Sequence, residues 1–290
     1  MTFGRRLHDL VAERGPLCAG IDPHAGLLAE WGLPDTVAGL ERFALGAVAG
    51  LAPYVAVVKP QSAFYERFGS RGIAVLERVV SESRAAGALV LLDVKRGDIG
   101  STSQAYADAY LDPASPLACD AITISPYLGF GSLTPFLDTA RRHGAGAFVL
   151  ALTSNPEGPE VQGALATSPA GEADDAAAKT VAGTVLGHLR SANADAAPLG
   201  SFGAVVGATL GATGEDLAIN GPLLAPGYGA QGGTLADLER IFGGLWGVPG
   251  QVLPSTSRGL LRAGPEPAAL RAAAERDNDR LRALLSGTPR

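Results

Sequence analysis

Eight short apolar runs separated by helix-like patterns predict an α/β fold, a (β/α)8 barrel. Two observations carry the prediction. The runs are continuously apolar rather than alternating, which marks parallel strands covered on both faces. Eight of them, with helices between, suit a barrel of about 250 residues. A doubly wound open sheet is the competing architecture.

The strand runs follow in order: LCAGID (17–22), VAVVKP (55–60), ALVLLDVK (88–95) and AITISP (121–126), then AFVLALTS (147–154), FGAVVGAT (202–209), PLLAPGYG (222–229) and GQVLPSTS (250–257). Helical periodicity fills 36–51, 72–87, 132–144, 176–192, 235–244 and 266–285, and the first residues form an amphipathic helix. No linker divides the chain, so residues 1–290 read as one domain. The segment 155–175, rich in Pro, Gly, Ser and acid, is a surface excursion after the fifth strand: a flap over a site or a disordered insertion.

Composition narrows the function. The chain has 290 residues, 47% hydrophobic and 18% charged, enough for a sizeable core. Net charge is -6 and no basic tract occurs, which argues against a nucleic-acid partner. No secretory signal and no apolar run of membrane-spanning length is visible, so a cytoplasmic protein is expected. Cys18 and Cys119 read as buried, reduced thiols, and two isolated cysteines give no metal spacing. Only three of the 23 basic residues are lysines: Lys59, Lys95 and Lys179. In a chain that otherwise uses arginine, each of these lysines is conspicuous.

Barrel chemistry belongs at the carboxyl ends of the strands. Those ends carry Asp22, Lys59, Asp93 with Lys95, Ser154 and Arg258, and Asp98 lies just past Lys95. Each residue alone has a plain alternative, as a helix cap, a turn residue or a surface charge. Arg96 reads as a solvated or interface charge, and the four histidines read as structural, with His24 near the rim. The Asp93–Lys95 pair is harder to dismiss, because residues i and i+2 of a strand face the same way. With Lys59 on the adjacent strand and Asp98 opening the next helix, an alternating Lys–Asp–Lys–Asp array is feasible. Carboxylates around a lysine favour its ammonium form. That suits a proton donor and argues against Schiff-base chemistry. The loops APGYGAQGGT and PSTSRG stand at the strand ends where such barrels often bind phosphate, with Gln231 and Arg258 as donors.

The motif DVKRGDIGST resembles the signature of the orotidine 5′-monophosphate decarboxylase family, D-x-K-x-x-D-[IV]-G-x-T. GIDPH, VVKPQSAFYE, TSNPEG, APGYGAQGG and SRG extend the resemblance, in order, over nearly the whole chain, most closely to the longer bacterial subgroup. The resemblance implies a cofactor-free decarboxylation of orotidine 5′-monophosphate to uridine 5′-monophosphate, in pyrimidine synthesis. It implies Lys95 as proton donor to C6, Asp93 against the substrate carboxylate, and Lys59 and Asp22 at the ribose. Ser154 would meet the pyrimidine with Pro156 nearby, and Gln231 and Arg258 would hold the phosphate. Asp98 and Thr102 would reach into a partner's site across a homodimer. One departure is Ser257, where many relatives have Gly, which puts the backbone contact to phosphate there in question.

Two other readings compete. A related metal-dependent phosphosugar decarboxylase would share D-x-K-x-x-D, but the TSNP and GAQGG elements argue against it. A non-catalytic binding barrel would have no need of the proton donor.

Overall fold

The structure is a computed structural model that describes residues 1–166 and 179–285. The strands are β1 (Cys18–Ile21), β2 (Val57–Pro60), β3 (Leu89–Arg96), β4 (Ala121–Ile124), β5 (Gly146–Leu152), β6 (Phe202–Val206), β7 (Leu223–Pro226) and β8 (Val252–Thr256). They pair in sequence order into a closed parallel barrel, with β8 returning to β1. Each strand begins within two residues of its expected start. Most end earlier than expected, because the polar residues after each apolar run leave the ladder to form the rim.

The helices pack outside. Threonine hydroxyls open several of them, as N-cap theory expects: Thr36 accepts from Gly39 N, Thr180 from Gly183 N, and Thr234 forms a capping box with Asp237. Two connections depart from the expected pattern. A helix at Gly100–Leu111 follows β3, where the small and aromatic residues of GSTSQAYADAYL give only a weak apolar stripe. Between β6 and β7, by contrast, the chain runs through 207–222 without a helix.

Within the barrel the side chains form layers. Val57, Leu91, Ala121, Phe148, Val205, Leu224 and Leu253 belong to one buried apolar cluster inside the sheet. The helix Phe3–Arg14 closes its lower end with Phe3, Leu7 and Val11, and the Phe3 ring meets Phe148 edge-on at 6.0 Å. Two residues further along each strand the same inward face carries Lys59, Asp93, Thr123, Leu150, Gly207, Pro226 and Ser255, which line a cavity. The apolar floor and the polar rim are thus consecutive turns of one alternation.

Of the excursion at 155–175, residues up to 166 are described and the rest fall outside the described residues. The described part holds a short helix, Gly158–Gln162, and a bridge from Leu165 to Thr180. Cys18 and Cys119 are buried and free, as expected, and burial pushes both thiols up to about 12. Among the described residues no helix is long and apolar enough to cross a membrane.

Candidate active site

A cavity of about 290 Å³ opens at the carboxyl ends of the strands, a size suited to a small molecule. Asp22, Lys59, Asp93, Lys95, Ser154, Gln231 and Arg258 all line it. The chain therefore brings seven of the expected residues to one place.

Asp93 is the centre. Its Oδ2 accepts from Lys59 Nζ at 3.1 Å, and its Oδ1 accepts from Lys95 Nζ at 2.6 Å and from Thr123 Oγ1 at 2.7 Å. Asp93 is 8% and Lys59 5% exposed, whereas the Lys95 side chain is 45% exposed to the mouth. Burial acts to raise the Asp93 pKa, but the two lysines and the hydrogen bonds outweigh it. The carboxyl is held well below the usual carboxylate range. Burial likewise opposes the Lys59 ammonium, yet Asp93 and Asp22 overcome it and keep its pKa above that of ordinary lysine. Both groups are ionised throughout the neutral range. Asp22 is itself buried, and its Oδ1 has no hydrogen-bond partner.

The Asp93–Lys95 pair faces the mouth, but not through simple strand alternation. Lys95 has φ +47°, in the left-handed region, at a cost of about 1–2 kcal/mol for a residue with a Cβ. The β3–β4 register shifts between Leu92 and Arg96. A bulge, rather than a regular pleat, aims the lysine.

Arg96 is not a solvated charge. It is half-buried, donates to Glu66 Oε1 at 2.6 Å and to Val94 O at 3.2 Å, and lies over the Tyr106 ring. It ties the short helix after β2 to the end of β3. His24 does sit near the rim, its ring 4.1 Å from that of Phe64 and tilted 58° to it.

Across the cavity, the β7 and β8 loops supply Gly227, Gln231 and Arg258. Gly227, Gly229 and Gly232 have positive φ, which frees this loop to turn tightly. Ser257 fits because its neighbour is glycine: a Cβ on Gly20 would lie 2.6 Å from Ser257 Cβ. Its buried Oγ has no partner.

Three expected residues stand outside the cavity. Pro156 is exposed in the loop after β5. Asp98 accepts from Ile99 N at 2.8 Å, and Thr102 is exposed on the following helix. Several polar lining residues escaped sequence reasoning: Gln61, Thr123, Thr153, Asn155, Tyr228, Ser255 and Thr256. Their one available signal was position, two residues beyond an apolar inward residue or next to a recognised strand end.

Fold and site together define a (β/α)8-barrel enzyme with its chemistry at the carboxyl rim. The profile of the orotidine 5′-phosphate decarboxylase / HUMPS family matches residues 15–273, and the chain belongs to that family. An orotidine 5′-phosphate decarboxylase from a Nocardioides species is 69% identical over 282 residues, covering 97% of this chain and 99% of that one. One from Streptomyces coelicolor is 61% identical, over 94% of this chain and 95% of its own. Among solved structures, a candidate orotidine 5′-phosphate decarboxylase from Streptomyces avermitilis superposes with a TM-score of 0.92 at 59% identity, covering 98% and 96% of the two chains. The orotidine monophosphate decarboxylase of Leishmania donovani gives 0.73 at 30% identity, covering 99% and 100%.

Proposed function

We propose that this protein decarboxylates orotidine 5′-monophosphate to uridine 5′-monophosphate and carbon dioxide without a cofactor, in the cytoplasm and as a homodimer. The single observation that carries the reading is the Lys59–Asp93–Lys95 array in the cavity, with contacts of 3.1 and 2.6 Å.

The reaction breaks the bond from C6 to the carboxylate. The electron pair stays on C6 as a poorly delocalised vinyl carbanion, carbon dioxide leaves, and C6 takes a proton. The required acceleration lies near the upper end of the enzyme range, roughly 10^17-fold. A fixed electrostatic array answers that demand, because its charges need no reorganisation as the carbanion develops. In this reading Lys95 stands where negative charge builds and gives its proton to C6, and solvent at the open mouth restores it. Asp93 faces the substrate carboxylate and holds both lysines. Lys59 and Asp22 bind the ribose, and the unpartnered Oδ1 of Asp22 suits a hydroxyl donor. Ser154, with Pro156 beside it, meets the pyrimidine, while Gln231 and Arg258 hold the phosphate.

Asp98 and Thr102 serve the partner's site in this proposal. Exposed apolar residues near them support a covered face: Ile99 is 62%, Tyr127 78% and Leu128 52% exposed, all just past the paired strands β3 and β4.

The deciding experiment follows the absorbance of orotidine 5′-monophosphate with purified enzyme, with and without EDTA. Turnover that EDTA leaves unchanged supports the reading. No turnover, or turnover abolished by EDTA, overturns it, the latter in favour of a metal-dependent lyase.

A further inference from the structure

The ladder between β3 and β4 breaks where the chemistry begins. Leu92 pairs with Ile122, and the next pair is Arg96 with Ile124. β3 thus advances four residues while β4 advances two, and Asp93, Val94 and Lys95 form a bulge over Thr123. A bulge in a buried strand leaves backbone N–H groups without ladder partners, and these must be satisfied.

Thr123 satisfies them. Val94 N and Lys95 N each donate to its Oγ1 at 3.0 Å. A hydroxyl has one proton and two acceptor positions. The two amides fill the acceptors, so the proton has one destination, Asp93 Oδ1 at 2.7 Å. Thr123 is 1% exposed, which keeps water from competing. Its β-branched side chain is also stiff about χ1. One oxygen is therefore bonded both to the carboxylate of Asp93 and to the backbone that carries Lys95.

We propose that Thr123 is a positioning residue for the decarboxylation, fixing the Asp93 carboxylate and the left-handed backbone of Lys95 through a single hydroxyl. The inference rests on the preceding reading, with Lys95 as proton donor. Asp93 Oδ1 is shared between Thr123 Oγ1 and Lys95 Nζ, the latter at 2.6 Å. With the hydroxyl in place, the carboxylate has a fixed plane and the lysine a fixed direction. Without it, the carboxylate turns, the bulge amides lose their acceptor, and the backbone relaxes from φ +47° at Lys95. A displacement of about 1 Å at a reacting group costs on the order of 10²-fold in rate. Arg258 and Gln231 stand just past the strands on the opposite side of the barrel, so phosphate binding is untouched and the loss falls on kcat.

The test measures kcat and KM for orotidine 5′-monophosphate, with thermal melting, in wild type, T123V and T123S. Wild type reports on the underlying reading: if it fails to turn over, that reading falls before any variant is compared. With active wild type, T123V is expected to lose about 10²-fold in kcat, with KM changed by no more than about threefold. T123S keeps the hydroxyl and is expected to recover kcat to within about fivefold of wild type. A merely structural threonine would lower the melting temperature of T123V and leave kcat per folded molecule intact. That result overturns the proposal, as does a loss confined to KM or a T123S enzyme as impaired as T123V. If T123V does not fold, T123C, of similar size and with a weakly bonding thiol, replaces it under the same outcomes.

Discussion

The two sides of the cavity are built differently. On the β2–β4 side the charged groups of the array have their partners already: Asp93 holds two lysines and a threonine hydroxyl, and Arg96 and Glu66 are paired with each other. On the β7–β8 side the loops turn on positive-φ glycines, and among the described residues Gln231 and Arg258 make no side-chain hydrogen bond or ion pair. One side is assembled before a substrate arrives; the other keeps its donors unspent. The difference matches two physical tasks. Stabilising a developing charge needs dipoles and charges that do not move. Gripping a remote anion needs donors whose binding energy is still available.

The largest effect should come from the assembled side. K95A would remove both the proposed proton donor and the charge placed nearest the developing carbanion in that reading. Its kcat should fall by at least about 10^5-fold, and a stopped assay with product separation would check this. Near-normal turnover would collapse the contrast between the two sides. The next experiment asks whether the assembled side is complete within one chain. D98A alone should be severely impaired, yet an equal mixture of K95A and D98A should regain about a quarter of wild-type activity by random pairing into dimers. No regain on mixing, after subunit exchange is verified, would make each site self-contained. On the open side, R258A should raise KM by about 10- to 100-fold, the worth of a charge-assisted bond to phosphate, with a smaller change in kcat. Unchanged kinetics would remove Arg258 from the phosphate site. The smallest effect on turnover belongs to the floor. F3A should cost about 3 kcal/mol of stability, read by denaturant melts, and leave kcat of the folded enzyme unchanged.

Much of this was legible in the sequence because burial on both faces leaves a plain trace. Runs such as ALVLLDVK and AITISP are apolar without alternation, and each became a barrel strand. The charged residues that end those runs converge because a barrel brings all its strand ends to one rim. What escaped depended on geometry that one-dimensional spacing does not carry. Asp93 and Lys95 read as neighbours on a regular pleat, whereas a register shift and a left-handed lysine bring them together. Thr123 looked like any polar residue in an apolar strand, because its worth lies in the two amides the bulge presents to it. The solvated reading of Arg96 fails because Glu66, 30 residues away, is its partner. The helix Gly100–Leu111 was passed over because alanines, serines and tyrosines spread its apolar surface too evenly to form a stripe. The roles proposed for Asp98 and Thr102 would involve a second chain, which no single-chain pattern describes.

The sealed floor has a consequence for traffic. Among the described residues, the helix Phe3–Arg14 and the Phe148 layer close the barrel floor and leave the mouth beside Lys95 and Arg258 as its doorway. Whatever enters must leave the way it came. In the proposed reaction, a gas molecule released at the array would have to slip past a nucleotide still held at the opposite loops, or wait behind it. Release order would then be written into the architecture: the small product first, and the anchored one only when the phosphate lets go.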